Sequence, residues 1–178
     1  NNAEKINNIP AEITRLPQPL VEAIKYFESL VQVSDVVVAH NAAFDKKWFG
    51  LKKLPHIEKQ WICSMDDITW PSDRQLKTRP SVKDLALAYG VPVWSAHRAL
   101  TDCIYLAEVF KRCTELEKLL IRALEPKVLL RADISYDKRH LAKNAGFRWN
   151  DAIKGAWSRK MSRRDMEKLE FPVNEIDF

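Results

Sequence analysis

Apolar positions in the first half of the chain recur at two different periods. From Pro19 to Val31, the residues Leu20, Ala23, Ile24, Phe27, Leu30 and Val31 stand three and four apart, the spacing of one helix face. Pro19 suits a first helical turn, where its missing donor would have no partner anyway. Ser34-Asp35 breaks the pattern. Val36-Val37-Val38-Ala39 is apolar at every position and rich in β-branched residues, which predicts a strand buried on both faces of a parallel-type sheet. His40-Asn41 ends that strand. Ala43, Phe44, Lys47, Trp48 and Leu51 predict a helix that stops near Gly50 and Pro55. Gln60 to Met65 predicts a second short buried strand around Trp61-Ile62-Cys63, and Asp66 to Trp70 a short helix.

Pro71 to Pro80 is a polar loop between prolines. Ser81-x-x-Asp84 has the form of a capping box with Asp in place of Glu, and Gly90 is a good C-terminal stop for the helix it opens. Ala99 to Leu120 predicts a long helix with a break, carrying Leu100, Ile104, Leu106, Ala107, Phe110 and Leu116 on its apolar side. Residues 1–18, with Pro10 and Pro17, predict loop or a short turn of helix. The order strand, helix, strand, helix, helix is that of an α/β fold.

The pattern changes at Glu125-Pro126, which divides the chain into a domain over 1–125 and a small module over 127–178. Val128 to Ile134 predicts a strand. Ser135 is placed to cap a helix from Tyr136 to Asn144, closed by Gly146. Phe147-Arg148-Trp149 and Ala156-Trp157-Ser158-Arg159 predict a hairpin, and Ser162 a cap for a last helix, Arg163 to Leu169. The module therefore reads β-α-β-β-α.

Composition adds limits. The polar start, Asn1-Asn2-Ala3-Glu4-Lys5, lacks the apolar core of a signal peptide, and no apolar run approaches a membrane span. Three cysteines without CxxC spacing read as reduced thiols of a cytoplasmic protein. The net charge of +5 is uneven: residues 1–126 hold 17 Lys and Arg against 16 Asp and Glu, and residues 127–178 hold 12 against 8. That excess suits a polyanionic partner.

Three residues stand out chemically. Asp45 follows the first strand and His-Asn, near the carboxyl end where α/β proteins place ligand groups. A solvated first-turn aspartate, favoured by the helix dipole, is the plainer alternative. His97 and Asp102 are five apart. They converge only if His97 lies before the helix, in Trp94-Ser95-Ala96, and Asp102 in its first turn. A surface histidine beside an N-terminal aspartate is the plainer alternative there. His56 and His140 have no partner pattern and read as non-ligands.

His40-Asn41-x-x-Phe44-Asp45 and His97-x-Ala99-x-x-Asp102 resemble the second and third motifs of the DnaQ-like, or DEDDh, 3′–5′ exonucleases, over roughly residues 5–115. The resemblance implies an RNase H-like exonuclease fold, incomplete at its N-terminal strands. It implies hydrolysis of phosphodiester bonds at nucleic-acid 3′ ends, single-stranded or frayed. DNA is the expected substrate and RNA the other candidate, with a DNA polymerase as a candidate partner and no membrane. Asp45 would help hold one divalent cation through water, Asp102 would bind the other directly, and His97 would take the proton from the attacking water. Two Mg²⁺ or Mn²⁺ ions about 4 Å apart stabilise both attacking and leaving oxygens in such a reaction. Asn41 would orient the backbone or a nearby carboxylate, and Phe44 would pack.

One departure is serious. The family's first motif, Asp-x-Glu on an opening strand, has no counterpart before the Pro19 to Val31 helix. The expectation is that the chain is part of a longer protein. The other readings are a non-catalytic nucleic-acid-binding or polymerase-associated relative, or coincidence of the two motifs. In the second module, Trp149 and Trp157 interleave with Arg148, Lys154 and Arg159. Aromatic planes beside cations suit stacking on unpaired bases. At least one of the two tryptophans is expected in the core, because so small a module needs large side chains.

Overall fold

A computed structural model of the chain describes residues 2–95 and 97–177. Two short helices, α1 (Asn2–Asn7) and α2 (Ala11–Thr14), precede α3 (Leu20–Val33). Strand β1 (Val36–Ala39), helix α4 (Ala42–Lys46) and strand β2 (Gln60–Cys63) follow, then α5 (Val82–Ala88), α6 (Ala99–Arg112) and α7 (Leu116–Ala123). The second half carries β3 (Lys127–Ala132), α8 (Arg139–Asn144), β4 (Arg148–Trp149), β5 (Trp157–Ser162), α9 (Arg163–Met166) and β6 (Val173–Ile176). The fold is mixed α/β with two small sheets.

β1 and β2 pair in parallel, Val36 opposite Gln60 and Ala39 opposite Cys63. They form a two-stranded sheet, so among the described residues β1 keeps one edge without a strand beside it. This is why β1 is half-buried throughout rather than buried on both faces as its composition predicts. The core lies on the β2 side. Ile62, Leu85, Tyr105 and Val109 are fully buried there, packed with Ile68, Trp70, Tyr89 and Leu119. α5 opens with the capping box: the Ser81 hydroxyl accepts from Asp84 N, and Asp84 accepts from Ser81 N. The Lys77 ammonium, then that backbone N–H, hold the Asp84 carboxyl down to about 2.

Several predicted boundaries move. The helix expected after Phe44 ends at Lys46 and continues as turns. Asp66 to Trp70 forms no helix: a turn ends at Asp67, and Ile68 to Trp70 have no regular structure. The amides of Asp66 and Asp67 both donate to Cys63 O, and Asp67 Oδ2 accepts from Cys63 N at 2.7 Å. The long helix breaks at Cys113, whose backbone is extended (φ −85°, ψ 103°), into α6 and α7. Ser135 makes no side-chain cap; a 3-10 turn at Tyr136–Lys138 leads into α8 instead.

The second sheet runs β4-β5-β3-β6, antiparallel at every pairing. The last strand, β6, pairs with β3 where the sequence pattern predicts only a final helix, and that helix stops at Met166. The module is thus β-α-β-β-α-β. Its core gathers Leu130, Ala132, Ala142, Phe147 and Met161, with Phe171 edge-on to Phe147 at 5.4 Å.

The segment 66–80 joins the two halves. Arg79 forms a two-pronged ion pair with Asp66. Thr78 Oγ1 donates to Asn144 O, and Lys127 Nζ lies 3.0 Å from Asp67 Oδ1. Arg159 donates to Ala145 O and to Asp66 O. Among the described residues, no helix is long and apolar enough to cross a membrane.

Candidate functional site

The turn from β1 into α4 is set by Asn41, whose backbone is left-handed (φ 64°, ψ 50°). Asparagine tolerates that region better than other residues with a side chain. The turn lets Ala42 N approach Cys63 Sγ at 3.4 Å, which locks α4 onto β2. Asn41 itself makes no side-chain cap and is exposed, so its contribution here is to the backbone path. α4 then presents Asp45, half-buried, with its carboxyl pushed above the usual range by burial. Phe44, expected to pack, is 53% exposed. Its ring meets Trp48 edge-on at 6.4 Å, and Lys47 Nζ lies 4.1 Å from its centre.

Asp102 stands in the first turn of α6. His97 precedes that helix, with a left-handed backbone (φ 66°), and its amide donates to Asp102 Oδ1 at 3.3 Å. The imidazole is exposed. Ala96, part of the segment expected to carry this turn, lies outside the described residues. The turn is held from below by Tyr105, a fully buried residue of α6. Its phenolic oxygen accepts from both Trp94 N and Ser95 N at 2.9 Å, and the Trp94 ring sits edge-on at 5.0 Å. Nothing in the spacing marks Tyr105, because its part in the site is played by its hydroxyl against backbone. Tyr105→Phe is expected to lower stability by about 1 kcal/mol. It should also speed amide exchange at Trp94 and Ser95 at least tenfold relative to the amides of α6. Unchanged exchange would mean that the phenol does not fix the turn.

Partial burial first, then the charges of Asp102 and of Asp45, push the Cys103 thiol above its ordinary range. Asp102 is the thiol's chain neighbour on α6, and Asp45 of α4 is near enough for its charge to be felt there. His40 Nδ1 lies 3.0 Å from the buried Ser64 Oγ. Burial pulls the imidazole below its ordinary 6.5, against the opposing pull of Asp66 and Asp102. The unfolded chain then takes up this proton first as pH falls. Stability should drop as pH is lowered through about 6.5, and His40→Gln should flatten that part of the slope. Chemical denaturation between pH 7.5 and 5.5 measures it; equal slopes for both proteins would contradict the assignment.

The donor set stops short of a two-cation centre. Among the described residues, no three His, Cys, Asp or Glu side chains converge to hold a metal ion. Asp45 and Asp102 alone do not fit the pair of divalent cations that the resemblance implies, because two charges of +2 need several carboxylates around them.

The second module separates the residues grouped by sequence. Trp149 and Trp157 are opposite each other on β4 and β5, their rings 5.9 Å apart. Trp149 is 54% exposed, whereas Trp157 is half-buried against the module's core. Arg148 is exposed and pairs with Asp151 at 3.4 Å. Lys154 is exposed in the hairpin loop. Arg159 departs from the expectation of nucleic-acid contact. Its guanidinium turns inward onto the carbonyls of Ala145 and Asp66, where it joins the two halves.

Sequence reasoning also missed a basic surface. Residues 46–59 contain five lysines and one glutamate. Among the described residues none of these lysines forms an ion pair with a carboxylate. Averaging charge over 1–126 conceals them, because the acidic residues of that half lie elsewhere.

No curated protein and no solved structure matches the chain. Residues 128–176, spanning the antiparallel sheet from β3 to β6, match a family model described as "Domain of unknown function (DUF8626)".

Proposed function

We propose that residues 1–125 carry part of a DnaQ-like 3′–5′ exonuclease site on an RNase H-like framework, acting on single-stranded or frayed 3′ ends, DNA foremost. The observation that supports this best is the His97 turn bonded to Asp102 at the head of α6, with Asp45 of α4 near enough for its charge to be felt at the neighbouring Cys103. Carboxylates near an exposed imidazole suit phosphodiester hydrolysis. A ring nitrogen of His97 takes the proton from the attacking water, and the turn's position at the head of α6 lets that ring reach into solvent. The lysines of 46–59 neutralise the phosphate backbone, which draws the strand to this face. The reading requires Mg²⁺ or Mn²⁺, and two carboxylates more than Asp45 and Asp102. A DNA polymerase is a candidate partner for a proofreading role.

The test is release of mononucleotides from a 3′-labelled oligonucleotide by the native protein with Mg²⁺ or Mn²⁺, and its arrest by a chelator. A 3′ end that stays intact under these conditions removes the reading. A second reading, binding without cleavage, is favoured by the lysines of 46–59 and the exposed Trp149. Salt-dependent oligonucleotide binding with no metal-dependent product would select it.

A further inference from the structure

α4 and β2, with the segment before β2, enclose a cleft of about 270 Å³ lined by Lys46, Phe49, His56, Ile57, Lys59 and Trp61. Every titratable side chain in this lining is basic. The apolar part is largely flat ring. Phe49 and Trp61 are 5.6 Å apart, and Phe27 of α3 stacks behind Phe49 at 5.5 Å, so the wall is braced. Lys46 Nζ stands 5.7 Å from the centre of the Trp61 ring. Lys59 Nζ spends one proton on Gln32 O at 3.3 Å, which fixes its direction and leaves further donors for a ligand.

Like charges gathered without carboxylates repel one another and favour an anion between them. A simple anion would answer the lysines and leave the rings idle. An acidic peptide would do the same. A ligand with a phosphate and a flat aromatic face satisfies both halves of the lining, because every nucleobase stacks on aromatic rings regardless of sequence. The space suits one such unit rather than several.

We infer that this cleft binds a nucleoside monophosphate unit, with its phosphate among Lys46, His56 and Lys59 and its base against the Trp61–Phe49 rings. The site involves neither Asp102 nor His97 and needs no cleavage to occur. It therefore stands or falls separately from the exonuclease reading. The unit arrives either as a free mononucleotide or as part of a single strand, and the experiment distinguishes these sources.

The full chain is titrated with dTMP, with AMP, with an oligo-dT strand and with inorganic phosphate. Binding is followed by calorimetry and by the Trp61 indole N–H resonance, assigned through Trp61→Phe. The expected result is a shift of that resonance with a nucleotide or strand, and mononucleotide binding at least tenfold tighter than inorganic phosphate. The Lys46→Glu/Lys59→Glu variant should weaken nucleotide binding at least tenfold, with Lys83→Glu on α5 as the charge control. Tighter binding of dTMP than of the strand identifies the free nucleotide as the occupant, and the reverse identifies the strand; either supports the site. An indole resonance unmoved in the unmodified protein overturns it, whatever the variant's fold. So does phosphate binding as tight as dTMP, or a double variant that melts normally and keeps its affinity within twofold.

Discussion

Asp102→Ala in the native protein is expected to cut mononucleotide release from a labelled 3′ end by roughly a thousandfold or more, the scale of losing a group that acts in the transition state. Two losses combine. The carboxylate charge disappears from the first turn of α6, and the His97 amide loses the oxygen that holds its turn. Asp102→Asn separates them. The amide side chain keeps an oxygen for His97 N while removing the charge. If charge is what matters, the Asn protein is nearly as inactive as the Ala protein and retains slow exchange at the His97 amide. Thermal melting of both should stay close to that of the unmodified protein, because Asp102 lies at a helix start and outside the buried core. Asp45→Asn should lower the same activity. Unaltered product release by Asp102→Ala in a protein that does cleave would remove this site from the chemistry altogether.

Gly146→Val is expected to cost about 3 kcal/mol or more, the largest stability loss forecast for a single change here. Gly146 has a left-handed backbone (φ 77°) at the end of α8, where a β-branched residue is strained. A Cβ there would also stand 2.9 Å from the Thr78 methyl and 3.0 Å from Arg159 Nη1. Neither neighbour can easily retreat. Thr78 is tied to Asn144 O, and Arg159 to Ala145 O and Asp66 O. The added carbon pushes apart the contact that joins the two sheets. Gly155 supplies the control. Its backbone is equally left-handed (φ 73°), but a Cβ there meets nothing within 4 Å. Gly155→Val should therefore show the backbone strain alone, a clearly smaller loss of about 1–2 kcal/mol. Equal denaturation midpoints for the two variants would mean that the joint between the halves yields without cost.

The elements with a local signature could be read from sequence. The capping box at Ser81 and the stop at Gly90 depend on residues within a few positions of each other, and α5 lies between them. β1 and β2 follow from runs of β-branched and aromatic residues. What could not be read depends on distant partners. β6 is a short stretch, Val173-Asn-Glu-Ile, that becomes a strand because β3 offers it an edge. A break in the long helix is expected from sequence, but its place at Cys113 is marked by neither proline nor glycine. Arg159 looks like a surface cation in sequence, and only the approach of Asp66 and Ala145 turns it inward. For the candidate site, the motifs placed Asp45, His97 and Asp102 in the right kinds of local structure. The clamp by Tyr105 and the lysine-and-ring cleft involve a hydroxyl against backbone and residues from three elements, and neither has a spacing to find.

α6 carries Asp102 at its head, Tyr105 one turn on, and Val109 deep among buried side chains. One rod thus serves as anchor, bracket and foundation. A slight tilt of its far end, from a lost methylene around Val109 or Leu119, is passed by leverage to the imidazole-bearing bend. Evolutionary drift in the interior is therefore constrained by the outer rim: replacements that keep volume but rotate the rod are as harmful to the bend as changes made within it.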